Sequence, residues 1–209
     1  MPPNARSKPV QTDIDAALDA VLTQLARYGL LLKQDKRLPS AITLLAGAPL
    51  AISWWSHPQG RVFFRVLAAL EDHPDVLVTK LLHGKDTLVH RSLWPEFLTL
   101  AGAGESWQSA GLSAPAHRLL QRVQQAGTPL RASGTAAREL QSRLLVHALE
   151  VHTESGRHAM ALQRWAAWAA QSGVRPARSL TRARAKLEAA SHALGAAPAA
   201  LPWSPPTRT

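Results

Sequence analysis

Apolar positions recur at helical spacing from Ile14 through Leu18, Val21 and Leu25, with Ala17 and Leu22 widening the stripe. Thr12 supplies a cap and Asp13 and Asp15 an acidic first turn, so the pattern predicts a helix from residue 12 that Gly29 ends. A Leu-rich stretch and the charged turn Gln34-Asp35-Lys36-Arg37 come next. Pro39 and Ser40 then open a second short helix over residues 41–46, closed by Gly47 and Pro49. Ser53-Trp54-Trp55-Ser56-His57-Pro58 interrupts the periodicity, after which Phe63, Val66, Leu67 and Leu70 form a third apolar face that His73-Pro74 stops. The clearest β pattern comes after that. Residues 76–82 and 87–90 are joined through His83-Gly84, where glycine can take the positive φ of a tight hairpin turn. Three helices followed by a hairpin is the winged-helix order.

A further helix is expected over residues 92–100, and the polar link 102–109 reads as a boundary. Beyond it Ser113 caps a helix that carries Pro115 in its first turn and ends at Gly127, with Leu119, Leu120 and Val123 inward. Residues 128–132 read as a short strand, and Ser133-Gly134 starts a helix with Leu140 and Leu144 inward. The chain then runs through HALEVHTESG to a Trp-bearing helix that stops at Gly173. Helix, strand, helix is the opening of a second winged helix, although no second hairpin of the 76–90 quality is evident. Ser179 caps a final helix bearing Leu180, Ala183, Leu187 and Leu194, closed by Gly195. The expected protein is thus mainly helical α+β. A disordered arm over 1–11 precedes a winged-helix-like unit over 12–101, followed by a smaller helical unit with a short strand over 110–173. A basic helix over 174–195 and a Pro/Ala-rich disordered tail over 196–209 complete it.

Composition narrows the class. The chain has 209 residues, 46% of them apolar, yet no apolar run approaches the roughly 18–20 residues of a membrane span. The N-terminal MPPNARSKPV lacks the apolar stretch of a secretory signal, which reads as cytoplasmic. There is no cysteine, so disulfides, thiolate catalysis and cysteine-ligated metals are excluded. No Gly-rich phosphate loop, GxSxG or post-strand GxGxxG occurs and no zinc spacing is met, so neither cofactor nor metal is expected.

The formal charge is +10, from 24 Lys plus Arg against 14 Asp plus Glu. Arg175, Arg178, Arg182, Arg184 and Lys186 form an acid-free strip that opens the last helix. There cations oppose the helix dipole, a local cost that an anionic partner would offset. Arg61 and Arg65 repeat the inversion on the third helix, and Lys80, Lys85, His90 and Arg91 add charge around the hairpin. Phosphate contacts gain affinity by counterion release, so these strips point to double-stranded DNA. Aromatic residues are only 5%, most of them Trp at core-like spacing, which disfavours single strands.

Two segments carry candidate chemistry. HALEVHTESGRH holds three histidines and two glutamates. If helical, His147, Glu150 and Glu154 share a face; if extended, Glu150, His152 and Glu154 do, as acid/base groups or metal ligands. SWWSHPQG brings Trp54, Trp55 and His57 together as a pocket wall or a stacking wedge, with burial in the core as the ordinary alternative.

The segments LPSAITLLAG, SWWSHPQG, VTKLLHGKDTLVHRSLWP and LLVHALEVHTESGRH resemble a group of bacterial proteins of uncharacterised function, over most of residues 30–172. That resemblance implies no activity. The winged-helix order and the Leu93-Trp94-Pro95 step are also similar to winged-helix DNA glycosylases of the AlkZ type, although the chain is much shorter and lacks their catalytic Gln motif. Duplex DNA binding is therefore the expected function. The alternatives are a nucleic-acid-processing enzyme using Glu150, His152 and Glu154, and an adaptor whose basic last helix docks on an acidic partner.

Overall fold

The computed structural model describes residues 11–152 and 158–204. Helix α1 (Gln11–Tyr28) buries Ile14, Val21 and Leu25, the stripe its spacing predicts. Gly29 ends it at φ +75°, a backbone conformation that favours glycine, and a Cβ there would lie 2.6 Å from Leu93 Cδ1, so that methyl would have to shift. Strand β1 (Leu30–Leu32) is three fully buried leucines, and α2 (Ala41–Ala46) is capped by the Ser40 side chain, which accepts from the Thr43 amide. Helix α3 (Gly60–Glu71) turns Phe63, Val66, Leu67 and Leu70 inward.

Strands β2 (Val76–Lys80) and β3 (Asp86–His90) form the expected hairpin, with His83 and Gly84 both at positive φ. The sheet is antiparallel in the order β1-β3-β2, with Leu88 opposite both Leu31 and Val78. Helix, strand, two helices and hairpin, with the first strand paired to the last, is a winged-helix topology.

Helix α4 (Trp94–Ala101) comes next, tied to the sheet by Trp94 Nε1 donating to Val89 O at 2.9 Å. The stretch expected as a plain link carries α5 (Ser106–Ser109), held by a Glu105/Gln108 capping box. After it come α6 (Ala114–Gln125), β4 (Leu130–Arg131), α7 (Gly134–Ser142), β5 (His147–His152), β6 (His158–Gln163) and α8 (Trp165–Ser172). The second sheet runs β4-β6-β5, repeating the order of the first. A second hairpin, β5–β6, therefore exists, and the first six residues of HALEVHTESGRH form its first strand. It resembles the first unit with one helix fewer between its first strand and its hairpin.

Each unit has its own core. Leu112, Ala116, Leu119, Val123, Ala137, Leu140, Val146 and Leu162 form the second, smaller one. The two are joined through Leu144 and Trp165, which belong to the first core: Trp165 Nε1 donates to Leu144 O at 2.9 Å and its ring meets Phe97 edge-on at 4.8 Å.

The C-terminal region corrects the sequence reading. Helix α9 (Leu180–Ala193) packs along α4 with Ala183 and Leu187 buried, making it part of the first unit. Residues 196–204, expected to be a disordered tail, place Ala196, Ala200, Leu201 and Trp203 in the same core. Pro198 and Pro202 lack amide donors, which limits the segment to a 3-10 turn over Pro198–Ala200 without forbidding burial, and the apolar Leu201 and Trp203 supply the gain that orders it. Residues 1–10 of the expected arm and 205–209 lie outside the described residues. No helix among the described residues is long and apolar enough to cross a membrane.

Candidate nucleic-acid interface

The ten cations that the sequence singles out divide into two groups. Lys80 meets Asp86 at 2.9 Å, Lys85 meets Asp35 at 2.7 Å and Arg91 meets Asp75 at 2.8 Å, all within the first unit. On α9 the Arg184 guanidinium reaches both Glu105 oxygens at 2.6 Å, and its carbon lies 5.6 Å from the Trp203 ring centroid. Lys186 meets Glu96 at 2.8 Å and donates to Ser92 O at 3.0 Å. These five charges are matched by carboxylates from other parts of the chain, so the strip over 175–186 is not one cationic face. Helical rotation sends Ala183 and Leu187 into the core, and Arg184 and Lys186 on either side of that stripe meet the carboxylates of Glu105 and Glu96. The Lys85 contact also bears on the charge of its partner. Burial alone would raise the Asp35 carboxyl, but Lys85 and the amides of Arg37 and Leu38 together hold it at about 2.

Arg61, Arg65, Arg175, Arg178 and Arg182 remain exposed with no carboxylate partner among the described residues. Arg65 donates to the neutral Gln11 side chain at 2.8 Å.

The sequence reading missed five further arginines on the second unit. Arg118 and Arg122 lie at i and i+4 on α6, Arg131 on β4, Arg138 on α7 and Arg164 at the cap of α8; all are exposed and none has an ion-pair partner among the described residues. Two of them stand on the α6 face formed with Gln121 and Gln125, opposite the buried Ala116, Leu119 and Val123. A simple division of the chain would have found them. Residues 1–105 hold eleven Lys and Arg against ten Asp and Glu, whereas residues 106–209 hold thirteen against four. Nearly all of the net charge therefore belongs to the second unit and the C-terminal segment beyond it. Among the first-half acids, Asp35, Glu71, Asp75 and Asp86 pair with first-half cations, and Glu96 and Glu105 pair with α9.

The HALEVHTESGRH cluster takes the extended form. On β5 successive positions alternate between the two faces of the sheet, so position 150 falls on the face shared with Ala148, while His147 falls on the opposite one. The helical grouping of His147, Glu150 and Glu154 is not formed, and Glu154 lies outside the described residues, as does the side chain of His152. Among the described residues no three His, Asp or Glu side chains converge as metal ligands. Glu150 is exposed, opposite Met160.

His147 has a structural place. Its ring lies 5.2 Å from Trp165 and 5.7 Å from Trp168, and its Nδ1 is 3.1 Å from Gln163 Nε2. Burial lowers its pKa to about 4, so the ring is neutral at pH 7 and Nδ1 accepts the amide proton.

Trp54 and Trp55 form a short 3-10 turn before α3, and their rings stack at 3.9 Å. His57 stacks on Phe63 at 4.9 Å, with its Nδ1 accepting from the Gln59 amide. A cavity of about 330 Å³ lies elsewhere, between α1 and α2, and is lined by Tyr28, Lys36, Arg37, Ser40 and Thr43 among others. None of Trp54, Trp55 and His57 borders it. No protein-family model, curated protein or solved structure matches the chain, so the functional reading rests on its own residues.

Proposed function

We propose that this protein binds duplex DNA through its phosphate backbone, chiefly with the arginine-bearing surface of the second winged-helix-like unit and the segment that leads into α9. One observation carries the reading: thirteen basic residues against four acidic ones after residue 105, with Arg118, Arg122, Arg131, Arg138, Arg164, Arg175, Arg178 and Arg182 exposed and without carboxylate partners among the described residues. Such a surface attracts a polyanion at long range and gains affinity for each phosphate it neutralises. The duplex is favoured because the charge sits on helix faces and strand ends of a rigid scaffold, and the α6 face offers arginine and glutamine side chains without an aromatic row. Arg61 and Arg65 on α3 add a smaller cationic point in the first unit. The cations paired within the fold, Lys80, Lys85, Arg91, Arg184 and Lys186, contribute to stability and less to binding.

The test is a titration of the full chain against duplex and single-stranded probes of equal length at two salt concentrations, with the recovered probe run on a denaturing gel. The reading expects duplex affinity that falls with salt at a log–log slope of about −0.9 for each phosphate contacted. Absence of duplex binding at low salt would refute it. Altered probe on the gel would instead bring forward the enzyme reading built on Glu150, His152 and Glu154.

A further inference from the structure

The first unit exposes a compact aromatic ledge. Trp55 is 63% exposed and Phe64 52%, and their ring centroids lie 5.6 Å apart, with Trp54 stacked beneath Trp55 at 3.9 Å. Large apolar side chains so exposed are uncommon on a folded surface and mark contact sites when they cluster. The ledge is also held stiffly. The Trp54 and Trp55 carbonyl oxygens lie 3.0 and 3.1 Å from where a Cβ of Gly60 would be, so the turn bearing both tryptophans sits directly against the start of α3. A larger residue there would press on both carbonyls, which would have to give by a few tenths of an ångström.

Charge narrows the occupant. Arg61 and Arg65 flank Phe64 on the outward face of α3, exposed and without carboxylate partners among the described residues, and the first turn of α3 has no acid. A second copy of this chain docking by two-fold symmetry would set two such arginine pairs against each other. A nucleic acid supplies both complements at once: planar faces for the rings and phosphates for the guanidinium groups.

Resting on the duplex-binding reading, we propose that the Trp54–Trp55–Phe64 ledge stacks on an unstacked nucleobase, wedging at an unpaired or weakened position of the duplex while Arg61 and Arg65 hold the adjoining phosphates. Apolar side chains act this way at kinked steps, and the unstacking cost is least where a base is already unpaired. The protein would thereby prefer duplexes with a bulge or mismatch over fully paired ones.

The experiment compares two duplexes of equal length, one fully paired and one with a single unpaired 2-aminopurine, using the full-length protein and its Trp55→Ala and Phe64→Ala variants. The native chain is expected to favour the bulged duplex and to quench the 2-aminopurine fluorescence. Trp55→Ala should lose roughly tenfold in affinity for the bulged probe, as removal of one base–aromatic stack requires, and leave the paired duplex within about twofold. Both variants change an exposed ring, and circular dichroism checks that they fold. A native protein that binds both duplexes equally, or a Trp55→Ala variant that keeps the preference and the quenching, would overturn the ledge proposal while leaving duplex binding in place. Loss of binding to both probes by the native chain would overturn both readings. A change from dimer to monomer in Trp55→Ala by analytical ultracentrifugation would make the ledge a protein contact and likewise overturn the proposal.

Discussion

His147 ties stability to pH in a way that can be worked from its surroundings. Burial lowers its folded-state pKa from an ordinary 6.5 to about 4, so the unfolded chain takes up a proton in a range where the native ring does not. The stability conferred by the neutral ring is complete above pH 6.5, falls as pH drops through that value, and reaches its full loss below pH 4. At about 1.4 kcal/mol per pKa unit the total loss is about 3 kcal/mol, of which about 2 kcal/mol has gone by pH 5. His147→Phe keeps a flat ring against Trp165 and Trp168 and removes the titrating group; Gln163 retains its 3.3 Å contact to Gln171. Urea unfolding followed by tryptophan fluorescence at pH 7.5 and pH 5 gives the comparison. The native chain should lose about 2 kcal/mol more than the variant over this interval, with carboxylate effects common to both. An equal loss in both proteins would show that the ring protonates in the native state without penalty and would refute the burial argument.

Other expectations arise from the charge map and the C-terminal packing. Arg138→Ala should weaken duplex binding evenly across sequences and reduce the salt slope by about one, whereas Lys186→Ala, whose charge is matched by Glu96, should leave the slope unchanged; salt-series anisotropy reads both. Truncation after residue 195 exposes the pocket that Leu201 and Trp203 fill, at 3% and 8% exposure, and should cost about 4 kcal/mol in a denaturant titration. By the same logic, deleting 174–209 to test an adaptor role would remove α9 from the core and unfold the first unit. Gly29→Ala places a Cβ at a φ of +75° and displaces the Leu93 methyl, and should lower stability by about 1–2 kcal/mol in thermal melts.

Much of the architecture is legible in the chain. The stripes of α1 and α3, the Ser40, Ser113 and Ser179 caps, and the His83-Gly84 turn all rest on local rules that a linear pattern displays. Strand β1 is not legible, because Leu30–Leu32 is buried on both faces and has no alternation. The second hairpin is hidden for a different reason. HALEVHTESGRH interleaves histidine and glutamate with small apolar residues, so helical and extended groupings both find partners, and pairing of β5 with β6, itself paired to β4, decides between them.

The amino-acid sequence alone determined the mainly helical α+β class, the first winged-helix order, the absence of thiol chemistry and a net charge of +10, because propensity, spacing and composition are properties of the chain. Tertiary structure decided which charges are available to a partner. Lys85, Arg184 and Lys186 meet carboxylates 50, 79 and 90 residues away that no local window brings together, and Lys80 and Arg91 meet Asp86 and Asp75 through the hairpin. It also decided that a Pro/Ala-rich tail is core and that the Trp55 and Phe64 rings face outward. Burial depends on what the rest of the chain places alongside a residue, and that information is not carried by the residue's neighbours in sequence.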